Sequence, residues 1–177
     1  VEARLNDLVA HVPNIPDDDV PFGKDDSENP VIKTIGTPHA FDFTPVPHWD
    51  LGPALGIIDF ERGIKLAGSR FYVLQGAGAK LQRALIQWML DLHGAQGYRE
   101  IYPPFMVREA VIYGAGQLPK FRDNLYHDVE KDAWMVPTAE VPLTGLHQDE
   151  IIDAAKLPLH YVAYTPCFRK EPMSAGK

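Results

Sequence analysis

The sequence predicts an α+β domain, with helices flanking an antiparallel sheet. Three observations carry that prediction. Short aromatic and β-branched runs read as strands, a single long segment has clear helical periodicity, and no regular strand–helix–strand rhythm links them.

Residues 1–11 place Leu5, Leu8 and Val9 at helical spacing and stop at Pro13, which reads as the tail of a helix. Residues 12–30 contain Pro13, Pro16, Pro21 and Pro30 among Asp and Gly, the chemistry of a linker. A short apolar run from Val31 to Ile35 follows, then a turn-rich stretch ending at His48-Trp49-Asp50. Residues 70–75 (RFYVLQ), bounded by Gly68 and Gly76, predict a strand. The spacing then predicts a helix over 79–93, with Leu81, Leu85, Trp88 and Leu92 on one face and Gly94 at its end. A strand over 98–102 closes at Pro103-Pro104, and a short helix over 108–116 ends in Gly114-Ala-Gly116. Residues 134–136 read as a brief strand. Residues 160–169 read as a last extended element, bulged or at a sheet edge because Pro166 lies inside it.

Composition excludes several classes. The chain has 177 residues, 45% of them hydrophobic and 23% charged, which is ordinary for a globular domain. No run approaches the roughly 18 apolar residues of a membrane span. The first residues carry both charge signs and no small-residue cleavage site, so no targeting segment is evident, and a cytoplasmic location is the default expectation. A single cysteine, Cys167, cannot form an internal disulfide. The net charge of −7, without a basic run, lacks the phosphate-neutralising footprint of non-specific nucleic-acid binding. The seven histidines are scattered without ligand spacing, so no metal site is expected. Gly76-Ala-Gly-Ala-Lys80 misses the phosphate-loop spacing and reads as a turn into the next helix.

Three stretches carry candidate chemistry. In Cys167-Phe168-Arg169-Lys170-Glu171, an extended strand would place Arg169 and Glu171 on one face, roughly 6.5–7 Å apart. Val162, Tyr164 and Phe168 would lie on the other. A cation and a carboxylate so placed could hold a ligand with phosphate and amine groups, or could be an ordinary surface ion pair. In Pro137-Thr138-Ala139-Glu140-Val141-Pro142-Leu143, an extended chain would put the Thr138 hydroxyl and the Glu140 carboxylate on one face. The alternative is a helix N-cap at Thr138, although a capping box would want Glu or Gln where Val141 stands. The third stretch, Gly97-Tyr98-Arg99-Glu100-Ile101-Tyr102-Pro103, could be plain core architecture.

Taken in order, the three resemble the seryl branch of the class II aminoacyl-tRNA synthetases. The helix, the strand and Pro103 resemble motif 1, Phe168-Arg169-Lys170-Glu171 resembles the opening of motif 2, and Thr138-Ala139-Glu140 resembles the T-x-E loop. His48-Trp49-Asp50-Leu51-Gly52, Asp59-Phe60-Glu61-Arg62, Gly114-Ala-Gly-Gln-Leu-Pro-Lys-Phe121 and Thr165-Pro-Cys-Phe-Arg169 also match that branch. The resemblance implies a class II-like antiparallel sheet, incomplete at its C-terminal side, because motif 3 would lie past Lys177.

It also implies an activity: activation of L-serine with ATP to seryl-adenylate, then transfer to tRNA(Ser). Arg169 and Glu171 would be catalytic, Thr138, Ala139, Glu140 and Arg169 would bind serine, and Arg169, Lys170 and Glu171 would bind ATP. Mg²⁺ would arrive with ATP, its ligands outside this stretch. Residues 1–11 would end a coiled-coil tRNA-binding arm, 12–30 would be a linker, and 31–177 would begin the catalytic domain. A homodimer would form through about 79–104. The segment alone is expected to be inactive. Two other readings stay open, a ligase homologue that charges a carrier protein and a non-catalytic dimerising paralogue.

Overall fold

A computed structural model describes residues 1–170. The chain falls into two compact units, Val1–Gly78 and Ala79–Lys177.

In the first unit, helix α1 (Glu2–Ala10) stands where the periodicity places it and has no buried residue. The proline-rich stretch after it has no regular structure beyond a 3-10 turn at Asp26–Glu28. Two helices then appear that the sequence reading missed: α2 (His48–Ala54) and α3 (Phe60–Ala67). Between them lies strand β1 (Ile58–Asp59). Both helices are short, and Gly52 and Pro53 inside α2 are poor helix formers, so periodicity had little to act on. Helix α3 is delimited by local chemistry. Asp59 Oδ1 accepts from the Arg62 backbone N–H at 2.8 Å, capping the first turn, and Gly68 at φ 94° closes the last.

The strand expected at 70–75 is shorter than its pattern, only β2 (Val73–Leu74). It pairs antiparallel with β1 in the register Ile58 to Leu74 and Asp59 to Val73. Gly63 makes this packing possible: a Cβ there would lie 2.4 Å from Phe71 O and from Tyr72 Cα, both backbone atoms.

Helix α4 (Ala77–Ala95) extends the expected 79–93 helix by two residues at each end and leads into the second unit. Strands β3 (Arg99–Glu100), β4 (Met106–Val107), β5 (Trp134–Met135) and β6 (Tyr161–Val162) lie there, with helices α5 (Glu109–Gly114) and α6 (Glu140–Gly145). β4 and β5 pair antiparallel, whereas β3 and β6 pair parallel. The α+β expectation therefore holds with helices around small two-stranded sheets, but one of the three pairs is parallel. A hairpin cannot make that pair, and the long connection from β3 to β6 can. The element expected over 160–169 is a strand only at β6. Tyr164, expected on the inner face with Val162 and Phe168, is exposed, while the other two are half-buried.

The core of the second unit is Ile112, Leu118, Leu125, Trp134 and Val141, with Val107, Val111 and Ala115 packed against it. It ties α5, α6 and β5 together. At the end of α6, Gly145 allows the close approach of α5, because a Cβ there would lie 2.5 Å from Val111 Cγ1.

Candidate active site

Strand β5 is buried at Trp134, and the chain is buried again at Val136 and Pro137 before bending at Thr138. The Thr138-Ala139-Glu140 segment is thus not extended. It enters α6, whose first residue is Glu140, and Thr138 Oγ1 accepts a long 3.4 Å hydrogen bond from the Glu140 backbone N–H. The N-cap of the helix is Ala139, without a side-chain cap bond, so Thr138 is neither part of a strand nor the cap, and Val136 and Val141, both fully buried, anchor the two sides of the bend.

The motif 2-like segment docks on this bend through its backbone. Phe168 N–H donates to Val136 O at 2.9 Å, and Lys170 N–H donates to Asn124 O at 2.8 Å. Arg169 Nε donates to Pro137 O at 3.1 Å, across 32 residues of sequence. These bonds place the guanidinium beside Thr138 and Glu140, at a cavity of about 340 Å³ lined by Gln117, Phe121, Asn124, Leu125, Pro137, Thr138, Glu140 and Arg169.

Three of the expected site residues therefore meet at one pocket: Thr138, Glu140 and Arg169. Ala139 joins two of them but does not line it. Lys170 turns away, its Nζ 5.4 Å from the centre of the Tyr126 ring. Glu171 lies outside the described residues. The reading from motifs did not single out Gln117 or Asn124 as site residues. Gln117 lies within a stretch that matches the family without a role of its own, and Asn124 carries no signal in the one-dimensional pattern.

The pocket offers a carboxylate, a guanidinium, a hydroxyl and two amides over an apolar floor of Phe121, Leu125 and Pro137. That set complements a small zwitterion with a polar side chain: the guanidinium fork suits a carboxylate or phosphate oxygen, and Glu140 suits an ammonium. Among the described residues, no group of three or more His, Cys, Asp and Glu is placed to hold a metal ion. No helix among them is long and apolar enough to cross a membrane.

Comparison with known proteins finds chains similar to this one. A serine–tRNA ligase of Roseiflexus sp. strain RS-1 is 65% identical over 177 residues, all of this chain and 42% of the relative. One of Dehalococcoides mccartyi is 63% identical over 178 residues, covering 100% of this chain and 43% of its own length. A crystal structure of seryl-tRNA synthetase from Pyrococcus horikoshii complexed with ATP superposes with a TM-score of 0.91 at 36% identity, over 99% of this chain and 44% of that one. Over its whole length this chain is similar to seryl-tRNA synthetases. It spans about two fifths of the length of the curated relatives it matches, 42% for the first. No family model matches the chain. A cytoplasmic serine–tRNA ligase from Naegleria fowleri in complex with AMP shares the fold at a TM-score of 0.84 and 26% identity, over 96% of this chain and 40% of that one. The seryl-tRNA synthetase likeness therefore runs through both compact units.

Proposed function

We propose that this chain contributes the amino-acid end of a serine–tRNA ligase active site, in a protein that activates L-serine with ATP and transfers it to tRNA(Ser). The observation that carries the reading is the convergence of Thr138, Glu140 and Arg169 on one cavity, from two segments about 30 residues apart.

Arg169 is the catalytic cation. Its Nε bond to Pro137 O fixes the side chain while leaving the other guanidinium nitrogens to bridge the serine carboxylate and the α-phosphate. As the carboxylate oxygen attacks the α-phosphorus and pyrophosphate leaves, negative charge at the reacting oxygens is balanced by a donor already in position. Glu140 and the Thr138 hydroxyl bind the ammonium end, and Ala139 contributes backbone there. Lys170 and Glu171 belong to the ATP side of the reading, with Glu171 also catalytic.

The likeness to the ATP complex of the Pyrococcus horikoshii synthetase supports ATP as the co-substrate. Magnesium would accompany ATP. Residues 1–11 are read as the end of a tRNA-binding arm, 12–30 as a linker and 31–177 as the start of the catalytic domain. The segment 79–104 is read as a homodimer contact, and the protein as cytoplasmic.

The test is serine-dependent ATP–pyrophosphate exchange by the full-length protein, assayed beside the other amino acids. Exchange with serine alone supports the assignment. Exchange with a different amino acid, or none at all with serine, refutes it.

A further inference from the structure

The two charges of the pocket account for the charged ends of an amino acid, but not for its side chain. Two neutral amides, Gln117 and Asn124, line the same cavity. Asn124 is exposed, while Gln117 is half-buried and held at the wall by backbone geometry. Helix α5 ends in a Schellman motif: Gly116 N–H donates to Tyr113 O at 2.9 Å, Gln117 N–H donates to Ile112 O at 3.2 Å, and Gly116 sits at φ 72°. The Gln117 carbonyl in turn accepts from Phe121 N–H at 2.9 Å. The backbone of Gln117 is thus fully engaged. Its side-chain amide, by contrast, has no hydrogen-bond partner among the described residues, so its donor and acceptor are available to a ligand in the cavity.

We propose that Gln117 is a specificity-determining residue of this pocket, its amide hydrogen-bonding the neutral polar group on the side chain of the bound amino acid. The inference rests on the amino-acid-binding reading above. An amide carries both a donor and an acceptor, so it matches a hydroxyl in either orientation. Arg169 and Glu140 are better matched to the carboxylate and the ammonium. Because the amide holds nothing else in place, its removal should leave the fold intact and act on ligand choice alone.

The experiment measures equilibrium binding of L-serine and L-alanine to the full-length protein and to its Gln117→Ala and Gln117→Asn variants, with thermal midpoints alongside. We expect Gln117→Ala to weaken serine binding by about threefold to tenfold, the worth of one hydrogen bond, with alanine binding and the thermal midpoint unchanged. Partial recovery in Gln117→Asn would support the role. An unchanged serine-to-alanine ratio, or an equal loss for both ligands with a lowered midpoint, overturns it. Should the wild-type protein prefer another amino acid, the serine reading falls while Gln117 is judged on that ligand against its analogue without the polar group. A preferred ligand with no side-chain polar group overturns both.

Discussion

Arg169 is the residue on which the proposed chemistry turns, and its placement is unusual for a surface arginine. A guanidinium on an exposed strand forms ion pairs worth about 0–1 kcal/mol and is otherwise free to move. Here the Nε bond to Pro137 O and the flanking backbone bonds of Phe168 and Lys170 hold it at the cavity, and it has no ion pair with any described residue. In the full-length protein, Arg169→Ala should lower the rate of adenylate formation by about 10²–10³, the effect of losing one preorganised donor. Single-turnover pyrophosphate exchange measures it, and a near-normal rate would remove Arg169 from the catalytic role. The motif made Arg169, Thr138 and Glu140 legible in the sequence. Their meeting in one cavity was not, since nothing in a one-dimensional pattern reports that 137 and 169 are neighbours. Nor could the pattern reveal that Lys170 turns toward Tyr126.

At the scale of elements, the working parts are short and owe their stability to caps and close approaches. Asp59 caps α3, and its carboxyl is held below the usual carboxylate range, first by the Arg62 backbone N–H and then by the Arg62 side chain. A folded-state value below the unfolded one, about 3.9, means this stabilisation is fully present above that pH and is lost as pH falls through the folded value. Asp59→Asn keeps a capping oxygen and removes the titration. Its thermal midpoint should therefore fall less than the wild type's between pH 6 and pH 3, and parallel curves would refute the point. Gly63 offers a second test. A methyl group there meets backbone atoms of Phe71 and Tyr72 at 2.4–2.5 Å, which cannot swing away as a side chain could. Gly63→Ala should cost about 1–3 kcal/mol or more by urea denaturation. In the second unit, Ile112 is fully buried under the pocket's supporting helices, and Ile112→Ala should cost about 2–5 kcal/mol. The helices that periodicity does not reveal, α2, α3 and α6, span only six to eight residues each. A helix that short offers at most two turns of periodicity, and isolated helices of such length are marginal without tertiary support.

At the scale of the whole molecule, the stripe that identified α4 is not covered by the described residues. Leu81 is 58% exposed and Trp88 60%, with Leu85 and Leu92 also exposed beside them. An apolar face of this kind fits the proposed homodimer contact over 79–104. Trp88→Asp in the full-length protein should weaken self-association at least about thirtyfold, as loss of a central aromatic anchor does. Sedimentation would follow the shift to monomer, and an unchanged dimer would assign the face to another partner. By itself the sequence determined the fold class, the long helix, the proline-rich stretch after α1 and the residue types of the candidate site. All of these are written in local periodicity, turn chemistry or contiguous motifs. Only the tertiary structure decided that β3 and β6 pair in parallel, that Thr138 lies in a bend before a helix instead of extending a strand, and that Gln117 faces the same cavity as Arg169. These depend on backbone hydrogen bonds and packing between segments tens of residues apart, which local patterns do not encode.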